Sequence, residues 1–219
     1  MNDKFTRLEK KWVFKNKDKE TLTQNLISHN LYFRPHFKER FVNSIYFDNL
    51  DLKFAEDNLA GVSNRKKVRL RWYSPNSNTL INPILEVKVK KNFQGFKKLF
   101  AFKEFDNFKV NEKNLKKISE KINNILVSKN LIPITQVFYK RNYFISCDKR
   151  VRATLDVDLK YRKIKNFIQS FFVRSDDIVL EFKYSNNFDS YLRNNIKGIT
   201  RVSRNSKYIN SLEKNNFFQ

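Results

Sequence analysis

Glycine is scarce in this chain, which has three glycines among 219 residues. Walker loops and dinucleotide fingerprints need several glycines close together, so that backbone amides can approach a phosphate. Gly61, Gly95 and Gly198 lie far apart, and none of them precedes Lys-Ser or Lys-Thr. Both kinds of loop are therefore excluded, and any phosphate that the chain binds must be held by side chains.

Cysteine, histidine and long apolar runs are scarce as well. The single Cys147 excludes a disulfide framework and favours a reducing compartment. His29 and His36 are too few for a three-histidine metal site. Met1 opens directly into charged sequence, and no apolar run approaches the roughly 20 residues of a membrane span. These absences predict a soluble, cytoplasmic protein without a membrane span.

Positive charge is abundant, because Lys and Arg total 45 against 22 Asp and Glu, a formal net charge of +23. With 40% apolar residues, the composition is typical of a folded basic protein. The excess charge indicates an anionic partner, either nucleic acid, an anionic membrane or a polyanionic small molecule. No repeat or long flexible linker divides the chain, so we expect one domain over residues 1–219.

Apolar and polar residues alternate with a period of two in eight segments, and a ninth candidate is less regular. The predicted strands are Phe5–Phe14, Asn43–Phe47, Lys66–Tyr73, Pro83–Lys91, Phe96–Phe102, Val137–Ser146, Val151–Leu159 and Ile178–Tyr184, with Phe167–Val173 as the ninth. Helical spacing predicts helices at Glu20–His29, Asp51–Leu59, Asn114–Val127, Asp189–Ile196 and Lys207–Glu213. We expect Asp51 to cap the second helix and Gly61 to end it. This order predicts an α+β fold in which about eight antiparallel strands close into a barrel, with helices packed outside.

Charged residues occupy one face of strand after strand. Arg69 and Arg71 share a face opposite Val68, Leu70 and Trp72. The same spacing recurs in Glu86, Lys88 and Lys90; Arg7, Glu9 and Lys11; Tyr139 and Arg141; Arg152, Thr154 and Asp156; and Glu181 and Lys183. One interpretation is an ordinary sheet whose charged face lies in water. The other is a barrel with a charged lumen, where arginine forks bind two phosphate oxygens at once and glutamates hold a divalent metal.

Two long sequence runs carry a resemblance to a known family. They are Ser44–Asp48 and Leu59–Tyr73, supported by Arg7-x-Glu9-x-Lys11, Leu85–Lys88, Phe138–Arg141, Val151–Asp156, Leu180–Lys183 and Ser206–Tyr208. From about Arg7 to Tyr208 the chain resembles the catalytic domain of the vacuolar transporter chaperone (VTC) complex, a polyphosphate polymerase of the triphosphate tunnel metalloenzyme superfamily. The resemblance implies a tunnel-shaped antiparallel barrel that binds a nucleoside triphosphate, a divalent metal and a polyphosphate chain.

The resemblance also implies roles for individual residues. The catalytic residues that contact the phosphates would be Arg69, Arg71, Lys88 and Arg141. The substrate would be bound by Lys11, Lys98, Tyr139, Arg152, Lys183, Arg204, Ser206 and Lys207. Glu181 would hold the metal, Mn²⁺ or Mg²⁺. In the strand after Gly95 the family's basic position falls on Lys97, Lys98 or, without a charge, Phe100.

The implied reaction transfers the terminal phosphate of ATP or another nucleoside triphosphate to phosphate, pyrophosphate or a growing polyphosphate chain. A terminal phosphate is already ionised, so the reaction needs in-line positioning and cations rather than a general base. Two alternatives use the same residues: with water as acceptor the protein is a triphosphatase or polyphosphatase, and without turnover it is a polyphosphate-binding module. Nucleic-acid binding is disfavoured, because the matching arginines alternate toward one enclosed face.

Overall fold

A computed structural model of the chain describes residues 7–92, 94–128, 130–195 and 202–217. Its strands are β1 (Arg7–Phe14), β2 (Arg34–Asp48), β3 (Arg65–Tyr73), β4 (Ile84–Lys91), β5 (Gln94–Ala101), β6 (Ile132–Ile145), β7 (Arg152–Lys165), β8 (Ile168–Gln169), β9 (Val173–Ser175) and β10 (Ile178–Ser185). Its helices are α1 (Lys19–Ile27), α2 (Lys53–Leu59), α3 (Glu112–Leu126), α4 (Asp189–Asn195) and α5 (Lys207–Lys214). The α+β class predicted from the sequence is confirmed.

The strands form a sheet in the order β1-β10-β7-β6-β2-β3-β4-β5, and β8 and β9 pair with β7. The ladders β1–β10, β10–β7, β2–β3, β3–β4 and β4–β5 are antiparallel, as predicted. Among the described residues this order has two ends, so the predicted closed barrel is wrong. Closure is not needed to protect the end strands, because exposed Lys97 and Lys98 discourage further pairing at β5. At β1, the Lys11 carbonyl already accepts a hydrogen bond from Ser203 N (2.7 Å).

The described residues group into two compact units. Unit 1 takes the described parts of Met1–Arg40, Tyr139–Leu159 and Ser175–Asn205, and unit 2 takes those of Phe41–Phe138, Lys160–Arg174 and Ser206–Gln219. Strands β2, β6 and β7 each begin in one unit and end in the other. The single domain over residues 1–219 stays a prediction.

Unit 1 has an aromatic core between β1, β10 and α1. The ring of Trp12 meets that of Phe182 edge to face, with 5.0 Å between centroids. Leu22 and Leu26 of α1 pack into the same buried cluster, together with Leu155 of β7. Because side chains alternate along a strand, this core leaves the charged residues of β1, β7 and β10 on the opposite face.

Unit 2 has its core on the apolar face of β3 and β4. Val68, Leu70 and Trp72 are buried there against Leu115 and Ile118 of α3. Helix α3 was predicted from the spacing of its apolar residues, and it presents that face to the sheet. The arginines of β3 therefore point away from the core, as the alternation predicted.

The ends of α2 confirm one expectation and correct another. Gly61 has a positive φ of 71°, which suits the glycine predicted to end the helix. The predicted cap Asp51 is wrong, because the carboxylate of Asp48 accepts hydrogen bonds from Phe54 N and Ala55 N, both at 3.0 Å. Asp48 thus closes β2 and fixes the start of α2.

The largest difference in strand length lies in β2, predicted over Asn43–Phe47 and found over Arg34–Asp48. Residues Arg34–Arg40 are all exposed, so no alternation marks them in the sequence. The ninth candidate, Phe167–Val173, contains β8 and the first residue of β9, while Phe5 and Ile196 lie outside the described residues. Within the described ranges, no helix is long and apolar enough to cross a bilayer.

Candidate functional site

In unit 2, the registers of β2, β3 and β4 bring polar side chains together. Ser44 pairs with Arg71, Tyr46 with Arg69, and Arg69 in turn with Glu86. Directly paired residues of an antiparallel ladder share a face, so these five side chains lie side by side on the face opposite the core.

A single carboxylate organises these cations. Glu86 Oε2 accepts a 2.7 Å hydrogen bond from Arg69 Nε, and Glu86 Oε1 accepts one of 2.8 Å from Lys97 Nζ. Arg71 Nη1 lies 3.8 Å from Oε1. We call these four residues the arginine cluster; three cations surround one carboxylate, which leaves positive charge in excess.

The charge of Glu86 is stabilised by its surroundings. Burial would raise the pKa of this carboxyl group, but Arg69 and Arg71 outweigh burial and lower the pKa to about 2. Glu86 is therefore ionised at neutral pH, and its exposed fraction is 7%. It holds the side chains of Arg69 and Arg71 next to each other, and its single negative charge balances only one of their two positive charges.

Tyr46 was missed as a candidate and belongs to the same surface. Its buried hydroxyl accepts a 3.3 Å hydrogen bond from Arg69 Nη1. Burial would raise the pKa of this phenol, but Arg69 and Arg71 outweigh burial and lower it. The signal was available, because Tyr46 stands in the Ser44–Asp48 run and on the same strand face as Ser44.

A chain of contacts fixes the ring of Tyr46. It stacks on the ring of Tyr208, with 4.9 Å between centroids and 13° between planes. The Tyr208 hydroxyl donates to Asp48 Oδ2 at 2.7 Å, and Asp48 also fixes the start of α2. The tyrosine beside Arg69 is therefore held by the start of α5 and the end of β2.

The start of α5 contributes the C-terminal candidates. Ser206 caps the helix, with its hydroxyl accepting from Ile209 N at 3.5 Å and from Lys67 Nζ at 3.0 Å. Lys207 is half-buried, and its charge helps to lower the pKa of Tyr46. The structure thus places Ser206 and Lys207 with Arg69 and Arg71, and adds Lys67, which the sequence did not single out.

In unit 1, β1 and β10 bring two acids and two lysines together. Lys11 pairs with Glu181 and Glu9 pairs with Lys183 across the ladder. Lys183 Nζ lies 2.8 Å from Glu181 and 3.5 Å from Glu9, whereas Lys11 Nζ lies 3.8 Å and 4.0 Å from the same two carboxylates. We call these four residues the carboxylate cluster, in which positive and negative charges balance.

Arg141 and Asp156 form a separate pair in the same unit. Arg141 Nε and Nη2 donate to the two oxygens of Asp156 at 2.6 and 2.7 Å. Burial would lower the pKa of Arg141, but Asp156 raises it well above its usual value. The guanidinium lies 5.3 Å from the ring centre of Tyr139, so these two candidates are in contact. With one edge of its fork on Asp156, Arg141 is a positioned cation rather than a mobile one.

The carboxylate cluster is compatible with a divalent cation. Burial would raise the pKa of Glu181, but Lys183 and Lys11 outweigh burial and lower it to about 2. Thr154 pairs with Glu181 across β7 and β10, and its Oγ1 is buried without a hydrogen bond among the described residues. Among the described residues, no group of three or more His, Cys, Asp or Glu side chains could hold a metal ion. Oxygen donors of this kind fit Mg²⁺ or Mn²⁺ that shares its coordination with phosphate and water.

Four further predicted residues, named below, are exposed. Arg152 is exposed beside Lys183, and Lys88 is exposed beside Lys67. Lys98 pairs with a core residue of β4 and so lies on the face opposite Arg69, whereas Lys97 is the neighbour that contacts Glu86. Arg204 is exposed in the segment before α5.

Comparison with known proteins shows what the chain resembles. The family model of the VTC domain matches residues 6–216. A solved structure from Vibrio parahaemolyticus, provisionally named an adenylate cyclase, matches with a TM-score of 0.52 at 12% sequence identity. The match covers 94% of this chain and 97% of that one. At this identity the likeness shows the fold alone.

Proposed function

The chain belongs to the VTC domain family, and from this premise we propose that it is a polyphosphate polymerase. In this reaction the terminal phosphate of ATP, or of another nucleoside triphosphate, passes to phosphate, pyrophosphate or a growing polyphosphate chain. The transferred phosphorus breaks its bond to the bridging oxygen of the nucleotide and forms one to a terminal oxygen of the acceptor, and nucleoside diphosphate leaves.

The arginine cluster is the observation that carries this proposal. Phosphoryl transfer depends mainly on positioning and on cations near the transferred group and the leaving oxygen. Arg69 and Arg71 present guanidinium groups, which bind two phosphate oxygens at once, and Glu86 holds both in place. Lys97, which is half-exposed, adds a mobile cation at the rim of the same surface.

Residues around this cluster extend the proposed phosphate surface within unit 2. Lys67, Ser206 and Lys207 supply two further cations and a hydroxyl at the start of α5. The Tyr46 hydroxyl lies beside Arg69 and can donate to a phosphate oxygen. In unit 1, we propose that Lys11, Lys183 and Arg141 act on phosphates, with exposed Arg152 at the edge. Lys88, which pairs with Lys67 on the same face as Arg69, contacts phosphates in the proposed reaction. Exposed Lys98 and Arg204 attract the polyanion before it binds.

We propose that Glu181, with Glu9 and the hydroxyl of Thr154, holds Mn²⁺ or Mg²⁺. A bound divalent ion would offset the charge of phosphate oxygens during transfer. Glu181→Gln should then weaken Mn²⁺ binding, measured by electron paramagnetic resonance without nucleotide. Binding equal to that of the unchanged chain would remove Glu181 from the metal site whatever its effect on activity.

The decisive experiment is a product analysis. The purified chain is incubated with ATP and Mn²⁺, polyphosphate is resolved on a gel, and free phosphate is measured in parallel. Long chains are expected. Orthophosphate alone would identify a hydrolase, and tight polyphosphate binding without either product would identify a binding module, so each of these results would overturn the polymerase.

Variants connect the activity to the arginine cluster. Arg71→Ala should lower kcat/KM about a hundredfold to a thousandfold, as loss of a preorganised charge does at other sites. Arg71→Lys keeps the charge but loses the fork, so it should recover part of this loss. Arg150→Ala is the matched control, because Arg150 is 68% exposed and lies outside both clusters. Equal activity of Arg71→Ala and Arg150→Ala would contradict the assignment.

A further inference from the structure

A hairpin at residues 163–175 projects apolar side chains that the proposed reaction does not use. It follows from the end of β7, where Lys165 pairs with Ile168 and Ile164 pairs with Gln169. Asn166 and Phe167 between them have φ values of 50° and 65°, as in the two-residue turn typical of tight hairpins. Strand β9 then also pairs with β7.

Side-chain contacts fix this hairpin. Ser170 N donates to the Lys163 carbonyl and Lys163 N donates to Ser170 Oγ, both at 2.9 Å. Phe172 turns inward, because the Arg162 guanidinium lies 4.5 Å from its ring centre. Phe171, the residue before it in the chain, is exposed. The hairpin is therefore fixed by contacts on both sides of its turn rather than being a loose loop.

Three residues of the hairpin are exposed and apolar. Phe171 is 95% exposed, Ile168 is 61% exposed and Val173 is 42% exposed. Leu50 and Val127, which are also highly exposed, stand singly in the sequence. Grouped apolar exposure on an ordered element is typical of an interaction surface.

Basic residues outnumber acidic ones around these side chains. Residues 158–177 contain five basic residues, Lys160, Arg162, Lys163, Lys165 and Arg174, and three acids, Asp158, Asp176 and Asp177. Lys165 and Arg174 are exposed; Lys165 pairs with Ile168, and Arg174 follows Val173. Exposed apolar residues flanked by Lys and Arg match an anionic bilayer, where basic groups meet phosphate headgroups and apolar groups enter the interface. A single-stranded nucleic acid would use the Phe171 ring but has no counterpart for Ile168 and Val173.

We propose that this hairpin binds the surface of an anionic lipid bilayer, with Phe171 and Ile168 in the interfacial region and Lys165 and Arg174 on the headgroups. The site is peripheral, and it agrees with the finding that no described helix could cross a membrane. This inference does not depend on the proposed polymerase activity, because none of these residues belongs to the arginine or carboxylate cluster.

Vesicle sedimentation tests the proposal with the full chain. Vesicles of phosphatidylcholine with phosphatidylglycerol should bind the chain, whereas phosphatidylcholine alone should bind it weakly. Phe171→Ser combined with Ile168→Ser should reduce binding about tenfold or more, because the inserted apolar groups are lost. Lys165→Gln combined with Arg174→Gln should reduce binding about 25-fold at low salt, at about fivefold for each basic residue.

Matched controls separate insertion from general apolar exposure. Leu50→Ser and Val127→Ser remove side chains that are 80% and 94% exposed elsewhere, and they should leave vesicle binding unchanged. Phe171→Trp adds a reporter, since the native Trp12 and Trp72 are buried at 1% and 0% exposure. Brominated lipids should quench this added tryptophan alone.

Several results would overturn the inference. Binding that Phe171→Ser with Ile168→Ser leaves intact would remove the hairpin from the surface that binds. Absence of quenching in Phe171→Trp would show that the side chain at position 171 does not enter the bilayer. Loss of oligonucleotide binding in the hairpin variants, with no vesicle binding by the unchanged chain, would assign the surface to nucleic acid instead.

Discussion

Replacement of Glu86 by glutamine tests the electrostatics of the arginine cluster most directly. Glutamine keeps the size and one carbonyl oxygen, but it removes the negative charge shared by Arg69, Arg71 and Lys97. The three cations then repel one another on a mostly buried surface. We expect Glu86→Gln to fold and to be less stable.

The magnitude follows from the pKa of Glu86. In the folded chain it lies at about 2, against 4.5 for an unperturbed group. At about 1.4 kcal/mol per pKa unit, the ionised carboxylate contributes about 3 kcal/mol at pH 7, and somewhat less because the half-exposed Lys97 is screened by solvent. For a chain of this size the melting temperature should fall by roughly 4–12 °C.

The pH dependence gives a second, independent check. Because the folded pKa lies below the unfolded value, the contribution is fully present above pH 4.5 and is lost as the pH falls toward 2. The stability gap between the unchanged chain and Glu86→Gln should therefore be constant from neutral pH to about 5.5. By pH 3 it should fall to less than about half.

Urea denaturation at several pH values measures this gap. Glu112→Gln is the matched control, because Glu112 forms a half-exposed ion pair with Lys116 within α3 and should matter by less than about 0.5 kcal/mol. A Glu86→Gln effect no larger than that of the control, or a gap that does not narrow at pH 3, would refute the reasoning. Added tripolyphosphate should raise the melting temperature of Glu86→Gln more than that of the unchanged chain, because Arg69 and Arg71 no longer share the negative charge of Glu86. If Glu86→Gln is less stable but tripolyphosphate raises both melting temperatures equally, the electrostatic argument is supported. The phosphate-binding role of Arg69 and Arg71 is then contradicted.

Three further variants test other parts of the molecule. Tyr46→Phe should keep the melting temperature within a few degrees and lower kcat/KM about tenfold, because only the hydroxyl beside Arg69 is lost; steady-state kinetics measure this. Asp156→Asn should cost about 3–5 kcal/mol in urea denaturation, since Arg141 loses the negative charge of its bidentate partner, the buried Asp156, and a loss below about 1 kcal/mol would show that the pair does not need this charge. Gly61→Ala should cost about 1 kcal/mol because φ is 71° there, whereas Gly95→Ala, with equal space around it and no positive φ, should cost less.

Alternation along single strands predicted the faces of the sheet but not its closure. Val68 and Leu70 are buried and Arg69 lies on the other face, as the period of two requires. Whether the first and last strands of a sheet pair is decided by contacts distant in sequence, which alternation does not report. The closed barrel was therefore inferred from strand number, and the described strands have an open order instead.

Register explains which site residues could be predicted. Arg69 and Arg71 needed only the pattern of their own strand, whereas the choice between Lys97 and Lys98 needed the pairing of β4 with β5. That pairing sets Lys97 opposite Lys88, so the lysine that contacts Glu86 became clear only from the structure. The same limit applies to the link between Tyr208 and Asp48, which joins residues 160 positions apart.

The two clusters differ in charge, and this difference assigns them different ligands. In the carboxylate cluster Lys11 and Lys183 balance two glutamates, so a phosphate alone gains little there. A cation that draws the carboxylates from the lysines leaves both lysines able to bind an anion, so metal and phosphate should bind to that cluster together. The arginine cluster keeps excess positive charge around one carboxylate and needs no metal to attract an anion. We infer that triphosphate binds at the arginine cluster without a metal, and that phosphate binds at the carboxylate cluster only together with Mn²⁺.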